Sequence, residues 1–228
     1  MSDDSPSAFT PAPTARAGDE IAPEELAARL AARLCHDFIT PASAIVTGLD
    51  LLEDPTAKDM RDDAMELISA SARKLGDLLQ FARVAFGASA QAESFDSAEL
   101  ERLARGVYAQ VRPELDWAIE QQSLPKPAAR ALMNLAQLAA DALPFGGVAR
   151  VELERTPSRL TMLVKGTAPR VRLHTEVAGG IAGEPLGEGL AGRWVQAYYL
   201  FALVRAAGGT VSAETADGSV SFIASLPG

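Results

Sequence analysis

One short segment of the chain places an imidazole beside a carboxylate and a proline. Residues 34–41 read LCHDFITP, in which Asp37 follows His36 directly and Pro41 lies five positions after His36. A neutral imidazole is nucleophilic and abundant near neutral pH, so it can take up a transferred group in covalent linkage. The residue types therefore indicate group transfer through His36, provided that a partner can reach it.

The residues around His36 are predicted to form one long helix. Apolar side chains recur at three- and four-residue steps and predict one buried stripe: Leu26, Leu30, Leu34, Phe38, Ala42, Ile45, Leu49 and Leu52. His36 lies two residues from Leu34 and two from Phe38, about 200° around the helix from each. We therefore expect His36 on the outer, solvent-facing side. Mostly small or polar side chains are expected to share that side: Ala32, Arg33, Ile39, Thr40 and Ser43.

A histidine on a helix surface can also be an ordinary surface residue, so the wider pattern decides its interpretation. His36-Asp37-x-x-x-Pro41, in the first of two helices, resembles the H-box of sensor histidine kinases. The longer run CHDFITPASAIVTGLDLLED resembles the ChpT-type histidine phosphotransferases of alphaproteobacteria. This resemblance covers nearly the whole chain after the first twenty-odd residues.

Composition limits the classes of partner. The chain has 228 residues and a net charge of −9, and it shows no clusters of Lys and Arg, which argues against nucleic acid and anionic membranes. No apolar run approaches the roughly 20 residues of a membrane span. The N-terminus lacks the basic-then-apolar order of a signal peptide, so a cytoplasmic protein is expected.

The single cysteine, Cys35, adjoins His36 and could suggest a metal or thiol site. One cysteine and two histidines cannot form a zinc site rich in nitrogen and sulfur ligands, and one cysteine excludes an intrachain disulfide. Neighbouring helical residues also point about 100° apart. We therefore expect no metal site and interpret Cys35 as a small packing residue.

Helix and strand signals divide the chain into three parts. Residues 1–21 are rich in Pro, Ala, Ser and Thr and are predicted to be a disordered tail. Residues 22–87 are predicted to form a hairpin of two long helices, joined near Asp54-Pro55. One hairpin leaves an apolar stripe uncovered, so two hairpins are expected to form a four-helix bundle in a homodimer. Pro41 is expected to kink or loosen the first helix.

Residues 95–228, which follow a linker at 87–94, are predicted to be an α/β sandwich with helices on one face of a mixed sheet. Helices are expected from Asp96 to about Val111, from Pro125 to about Leu143 and near residues 194–207. Strands are expected at residues 115–119, 148–153, 160–164, 211–214 and 220–226. His174 lies in a polar stretch and is interpreted as a surface or loop residue.

This half is similar to the ATP-binding (Bergerat) domain of histidine kinases, but in a degenerate form. Asn134 and the run 144–147, PFGG, match the kinase N-box, whereas Leu138 replaces its second, magnesium-binding Asn. The stretch 164–168, VKGTA, lacks the Asp that recognises adenine, and residues 187–190 keep part of a third box. Loss of a magnesium ligand removes a requirement of phosphoryl transfer from ATP, so we expect a scaffold or docking domain that binds no cofactor.

The resemblance implies a phosphorelay transferase. The phosphoryl group would pass from the receiver Asp of a CckA-like hybrid histidine kinase to His36, and then to CtrA-like and CpdR-like response regulators in cell-cycle control. Mg²⁺ would come from the receiver domain. In this scheme Asp37 supports His36, while Arg33, Ile39, Thr40 and Ser43 meet the receiver.

Several of these residues are also consistent with ordinary roles on a protein surface. Asp37 is equally consistent with a solvated helix carboxylate, and Arg33 with a plain surface arginine. Thr40 occupies a position that, in some kinases, helps water to attack a partner's aspartyl phosphate. The alternative functions are therefore a response-regulator phosphatase and a non-catalytic module that sequesters a regulator.

Overall fold

A computed structural model describes residues 21–87, 92–187 and 189–228. Two helices, α1 (Pro23–Glu53) and α2 (Arg61–Ala85), form an antiparallel hairpin, with a single 3-10 turn at Lys58–Met60 between them. The predicted tail lies outside the described residues except for Ile21, as do residues 88–91 of the predicted linker. Within the described ranges, no helix combines the length and the apolar character needed to cross a membrane.

Local sequence accounts for both ends of α1. Pro23 occupies the first turn, where its missing N–H costs nothing, and two acidic residues beside it favour the positive end of the helix dipole. Beyond the last turn, the carboxylate of Asp54 accepts hydrogen bonds from the backbone N–H and the hydroxyl of Thr56, both at 2.7 Å. Helix α1 runs without interruption through Pro41, which is buried.

Helix α1 carries two apolar rows rather than the single stripe expected from the sequence. One row is buried or half-buried and includes the hairpin contact: Leu34, Phe38, Pro41, Ile45, Gly48 and Leu52. The other row is exposed or half-exposed in the single chain: Cys35, Ile39, Ala42, Val46 and Leu49. The prediction that Leu49 belongs to the buried stripe is therefore wrong, because this side chain is exposed. The single stripe expected from the sequence combines residues of two rows that lie about 100° apart around the helix.

The C-terminal half is a helix-covered sheet. Its elements, in chain order, are β1 (Ser94–Asp96), α3 (Ser97–Tyr108), β2 (Glu114–Trp117), β3 (Ser123–Pro125), α4 (Lys126–Asp141), β4 (Val148–Arg155), β5 (Arg159–Thr167), α5 (Thr175–Ala182), α6 (Ala191–Ala206), β6 (Thr210–Ala216) and β7 (Ser219–Pro227). The main sheet has the order β2-β4-β5-β7-β6. Strands β2 and β4 are parallel, and the other pairs are antiparallel.

Burial alternates along the central strands, so the sheet has one covered face. On β5, Leu160, Met162 and Val164 are buried, and on β7 the buried residues include Val220 and Phe222. Helix α4 packs over these strands and is itself buried along most of its length. The predicted α plus α/β architecture is confirmed. The short strands β1 and β3 and the helix α5 were not predicted.

The hairpin packs directly on the C-terminal half. Leu26 and Leu30 of α1 contact a buried cluster on α6 formed by Trp194, Val195 and Tyr198. On the other side, Phe81, Val84 and Ala85 of α2 belong to the same core as α3 and α4. The functional face of α1 is therefore fixed relative to the sheet, and residues of both halves can contribute to one site.

Close approach of the two hairpin helices depends on Gly48. A Cβ atom at this position would lie 2.6 Å from Cγ1 of Ile68 and 3.1 Å from the carbonyl oxygen of Ala64. We expect Gly48→Ala to lower the free energy of unfolding. Overpacking typically costs about 1–3 kcal/mol, whereas alanine gains only ~1 kcal/mol over glycine in a helix. Chemical denaturation measures the difference.

The matched control is Gly76→Ala in α2, where an added Cβ meets no atom within 4 Å. This variant should gain up to ~1 kcal/mol from helix propensity alone. Equal stability of the two variants would show that the helices do not meet closely at Gly48.

Candidate functional site

His36 projects from α1 at the seam between the hairpin and the C-terminal half. Its side chain is 82% exposed, as the helical position predicts. The hydroxyl of Thr40, one turn later, donates a hydrogen bond to the backbone carbonyl of His36 at 3.5 Å. An approaching partner therefore finds the ring accessible on an ordered helix rather than on a loop.

Asp37 contacts the imidazole directly. Its Oδ1 lies 3.2 Å from Nδ1 of His36. Beside a carboxylate, Nδ1 is the nitrogen that carries the proton and donates it, which leaves the lone pair on Nε2. The other carboxylate oxygen, Oδ2, lies 3.7 Å from Nε of Arg33. Asp37 therefore links the imidazole to an arginine one turn earlier.

Arg33 faces the C-terminal half rather than the open outer surface. Its side chain is only 13% exposed, and its Nη2 lies 3.7 Å from Oδ2 of Asp141 at the end of α4. Its Nη1 also donates a hydrogen bond to the backbone carbonyl of Gly192, in the first turn of α6. The interpretation of Arg33 as a plain surface arginine is therefore wrong, because α4 and α6 occupy the space beside it.

Two cavities meet at this row of charged side chains. The larger, of about 620 Å³, is lined by His36, Asp37, Arg33 and Asp141 together with residues 190–193 at the start of α6. The smaller, of about 270 Å³, lies on the other side and also reaches His36 and Asp37, with further lining from α2 and α3. His36 is thus accessible from both sides of the seam.

The carboxylate of Asp141 lies at the C-terminal end of α4, and its side chain is 45% exposed. Desolvation by its surroundings raises the pKa of Asp141, and the nearby charge of Asp37 raises it further. Arg33 and Arg193 act in the opposite direction but do not cancel the effect. Sequence reasoning missed Asp141 although it lies inside the stretch 134–147 compared with the kinase N-box, because only the tertiary fold brings it close to Arg33 and His36.

The remaining predicted site residues stay on the outer side of α1. Ile39 is 62% exposed, and Thr40 and Ser43 are exposed as well. Cys35 is also exposed, so the interpretation of this residue as a packing residue is wrong for the single chain. Ile39 and Cys35 belong to the outer apolar row of α1.

Asn134, the retained residue of the kinase-like N-box, serves the packing of the two halves. Its side chain is fully buried, and Nδ2 donates to the carbonyls of Ala85, at the end of α2, and Arg130, both at 2.9 Å. Its Oδ1 accepts a hydrogen bond from Gln196 of α6 at 3.3 Å. Leu138, in place of the second Asn, is buried in the core. The side-chain amide of Asn134 is therefore fully engaged within the chain.

Backbone conformation explains why a glycine is kept at position 147 in the PFGG run. Gly147 has a φ of 125°, and a Cβ there would lie 2.4 Å from the carbonyl oxygen of Thr167. A close turn beside β5 requires this glycine whether or not a nucleotide binds.

His174 is not a free surface histidine. It is half-buried immediately before α5, and its Nδ1 lies 3.3 Å from Nη1 of Arg193. Burial, together with the nearby guanidinium, lowers the pKa of His174. Among the residues that the structure describes, no three His, Cys, Asp or Glu side chains are grouped so that they could hold a metal ion.

Comparison with known proteins agrees with this architecture. Residues 97–219 match the family described as "Histidine phosphotransferase C-terminal domain". The chain is 36% identical over 204 residues to "Protein phosphotransferase ChpT" of Brucella abortus (strain 2308), which covers 88% of this chain and 95% of the relative.

Solved structures extend the comparison to the fold. A structure titled "1.7 Angstrom Structure of a Bacterial Phosphotransferase" superimposes with a TM-score of 0.80 at 31% identity, covering 90% of this chain and 97% of the other. A catalytic domain of the histidine kinase ThkA matches with a TM-score of 0.44 at 18% identity, over 59% of this chain and 93% of the other.

The sequence match, the family match and the structural match concern the same type of protein. Together the two relatives span the hairpin as well as the helix-covered sheet. The chain belongs to the histidine phosphotransferase family and is a phosphotransferase of the two-component phosphorelay type.

Proposed function

We propose that His36 carries the phosphoryl group between aspartates of partner receiver domains. The observation that carries this proposal is the geometry of one pair: Nδ1 of an exposed imidazole lies 3.2 Å from Oδ1 of Asp37. A ring held through Nδ1 presents Nε2 outward as the nucleophile. The side chain stands on a long helix, which favours an approach by another protein over reaction with a buried small molecule.

The forward step forms one bond and breaks another. The Nε2 lone pair attacks the phosphorus of a receiver aspartyl phosphate in line, and the phosphorus–oxygen bond to the aspartate breaks. The electron pair of that bond leaves with the receiver carboxylate. The phosphorylated ring keeps its proton on Nδ1 and is positively charged until the group moves on, so the carboxylate of Asp37 stabilises it. Attack by the aspartate of a second receiver reverses these changes.

The Mg²⁺ required for phosphoryl transfer is assigned to the acidic pocket of the receiver. This chain offers Leu138 in place of a metal-binding asparagine, and it has no aspartate in the stretch 164–168 to recognise adenine. Asn134 is occupied with hydrogen bonds inside the protein. In this proposal the group therefore enters from a phosphorylated protein and not from ATP.

We also propose the partners that the resemblance to ChpT-type phosphotransferases implies. The donor is the receiver of a CckA-like hybrid histidine kinase, and the acceptors are CtrA-like and CpdR-like response regulators in cell-cycle control. The relay is placed in the cytoplasm, where response regulators act. Ile39, Thr40 and Ser43 surround His36 on the exposed side of α1 and are proposed to contact the receiver.

The outer apolar row is assigned to a homodimer. The part of the row beyond Ile39 forms this interface: Val46 and Leu49 are 56% and 47% exposed in the single chain, and α2 also carries the exposed apolar side chains Met65 and Leu79. Two such hairpins can bury these side chains against each other as a four-helix bundle. His36 lies about 80° around α1 from Val46 and about 140° from Leu49, so the bundle leaves the imidazole accessible.

Replacement of His36 by alanine should abolish transfer. Purified protein incubated with a radiolabelled phosphorylated receiver should gain acid-labile label, and His36→Ala should gain none because the nucleophile is gone. Incubation with labelled ATP and Mg²⁺ alone should label neither protein.

Other outcomes of this experiment would contradict the relay. Label taken from ATP would establish a kinase. Loss of phosphate from the receiver without label on His36 would establish a phosphatase. Stable receiver binding that survives His36→Ala, with no labelling of the wild-type protein, would indicate a sequestering module.

The dimer is tested by a charge placed in the outer apolar row. Val46→Glu should convert a dimer to a monomer in sedimentation equilibrium, because an unpaired carboxylate would be buried in the bundle. Thr47→Glu adds the same charge at the next residue, which is exposed about 100° further around the helix, and should leave the dimer intact. A monomeric wild-type protein, or dissociation by both variants, would contradict this assignment of the interface.

Asn134 offers a separate test of the loss of nucleotide binding. Asn134→Ala removes the donor to two buried carbonyls, so the free energy of unfolding should fall by about 1–3 kcal/mol. Titration with an ATP analogue and Mg²⁺ should give no binding signal for either the wild-type protein or the variant. A saturable binding signal that is weaker in Asn134→Ala than in the wild type would show that Asn134 belongs to a nucleotide site.

A further inference from the structure

A row of four charged or ionisable side chains crosses the seam between the two halves of the chain. It runs from His36 to Asp37 at 3.2 Å, from Asp37 to Arg33 at 3.7 Å, and from Arg33 to Asp141 at 3.7 Å. The first three belong to α1, whereas Asp141 ends α4 in the C-terminal half. The imidazole is thus connected to a carboxylate of the other half through two intervening side chains.

We infer that Asp141 is a positioning residue for phosphoryl transfer, which acts on His36 through Arg33 and Asp37. The inference rests on the proposed role of His36 as the phosphoryl carrier. It gives the C-terminal half a part in orienting the imidazole of His36, in addition to any scaffold or docking role.

The argument begins with the position of Arg33 between its acceptors. The guanidinium contacts Asp37 on one side and Asp141 on the other, and it also donates to the carbonyl of Gly192. The guanidinium is shared among three groups, with a hydrogen bond to Gly192 and ion-pair contacts at 3.7 Å to the two carboxylates, and on Asp37 its contact is to Oδ2. Oδ1 remains for Nδ1 of His36, where it fixes the ring orientation and keeps the lone pair on Nε2.

Removal of the Asp141 charge would change that division. Arg33 would lose its anchor in the C-terminal half, and a guanidinium favours bidentate pairing with a single carboxylate. The available carboxylate is Asp37, whose second oxygen now contacts His36. A bidentate pair would draw this oxygen from Nδ1, so the imidazole would lose the contact that sets its tautomer and orientation.

The effect of the Asp141 charge on folding stability provides a second argument for a role of this residue in function. The charged and titratable groups around Asp141 come from several elements: His36, Asp37, Arg33 and Arg29 on α1, Lys74 on α2, Tyr108 on α3, Arg172 and His174 before α5, and Arg193 on α6. The folded-state pKa of Asp141 is raised, with desolvation as the largest cause, so its ionised form opposes folding. A carboxylate kept only for stability would be expected to show the opposite sign.

The unfavourable contribution of ionised Asp141 to folding depends on pH, because protonation and folding are linked equilibria. Below the ordinary aspartate range, Asp141 is protonated in both the folded and the unfolded state, and the cost vanishes. As the pH rises through that range and up to the higher folded-state pKa, the unfolded state loses its proton first and stability declines. Asp141→Asn should therefore be more stable than the wild type at neutral pH, and the difference should fade in acid.

The experiment measures transfer and stability in the same variants of the full chain. With a phosphorylated receiver in single-turnover reactions, Asp141→Asn should lower the maximal rate of His36 phosphorylation about fivefold, the effect of weakening one hydrogen bond. The receiver concentration at half-maximal rate should stay unchanged. Asp141→Glu restores the charge and should recover most of the rate.

Asp116→Asn is the matched control. Asp116 has the same side-chain exposure as Asp141, 45%, and it also pairs with an arginine, Arg150, but it lies on β2 away from the seam. Its replacement should leave the transfer rate unchanged. A loss of rate in Asp116→Asn equal to that in Asp141→Asn would overturn the positioning role.

A double-variant cycle tests the route through Arg33. If Asp141 acts through this arginine, adding Asp141→Asn to Arg33→Gln should cause no further loss of rate. Two losses that multiply would overturn the route. A wild-type rate in Asp141→Asn, or a slower rate accompanied by lower stability at neutral pH, would overturn the inference itself.

The proposed function is judged separately from this inference. His36→Ala that still takes up acid-labile label would overturn the role of His36, and the inference with it. Loss of label in His36→Ala together with unimpaired transfer in Asp141→Asn would overturn only the role of Asp141.

Discussion

Helix α1 has four faces with different environments, and the angle of 100° between successive residues determines which side chain lies on which face. The N-terminal turns of α1 contact α6 through Leu26 and Leu30, and the later turns meet α2 at Gly48. A third face carries the outer apolar row, and His36 lies on the fourth. Because the first two contacts clamp α1 on different sides, the helix cannot rotate to bury His36. Exposure of the imidazole is thus a consequence of packing elsewhere.

The packing of the hairpin on the C-terminal half also accounts for the environments of Asn134 and Leu138, the two residues compared with the kinase N-box. Asn134 keeps its identity, but its amide holds the last turn of α2 against α4 and α6. Leu138 extends the apolar face of α4 into the core, where a polar metal ligand would be unfavourable. At these two positions the C-terminal half therefore packs its helices together instead of leaving a cleft open for a ligand.

Sequence reasoning succeeded where the signal is local and failed where it depends on neighbours in space. The exposure of His36 follows from two residues of spacing, and the long helices follow from periodicity. The position of Arg33 does not follow, because a helical wheel places it only about 60° from His36 and cannot show that α4 and α6 stand on that side. The two apolar rows of α1 lie one residue apart and merge in a single periodic pattern. Strands β1 and β3, with three residues each, are too short to give a pattern.

If Asp141 positions His36 as inferred above, a helical hairpin alone would be an incomplete transferase. Arg33 and Asp37 lie one turn apart on α1 and would pair with each other in an isolated helix, at the expense of the contact to His36. A third charge is needed to share the guanidinium, and the chain supplies it from α4. The side chain of Asp141 is 45% exposed, yet its surroundings raise its pKa, so that its charge works against folding. Charges that cost stability next to a reactive group are typical of residues kept for chemistry. On this argument, the C-terminal half contributes the charge that keeps the imidazole ready for attack.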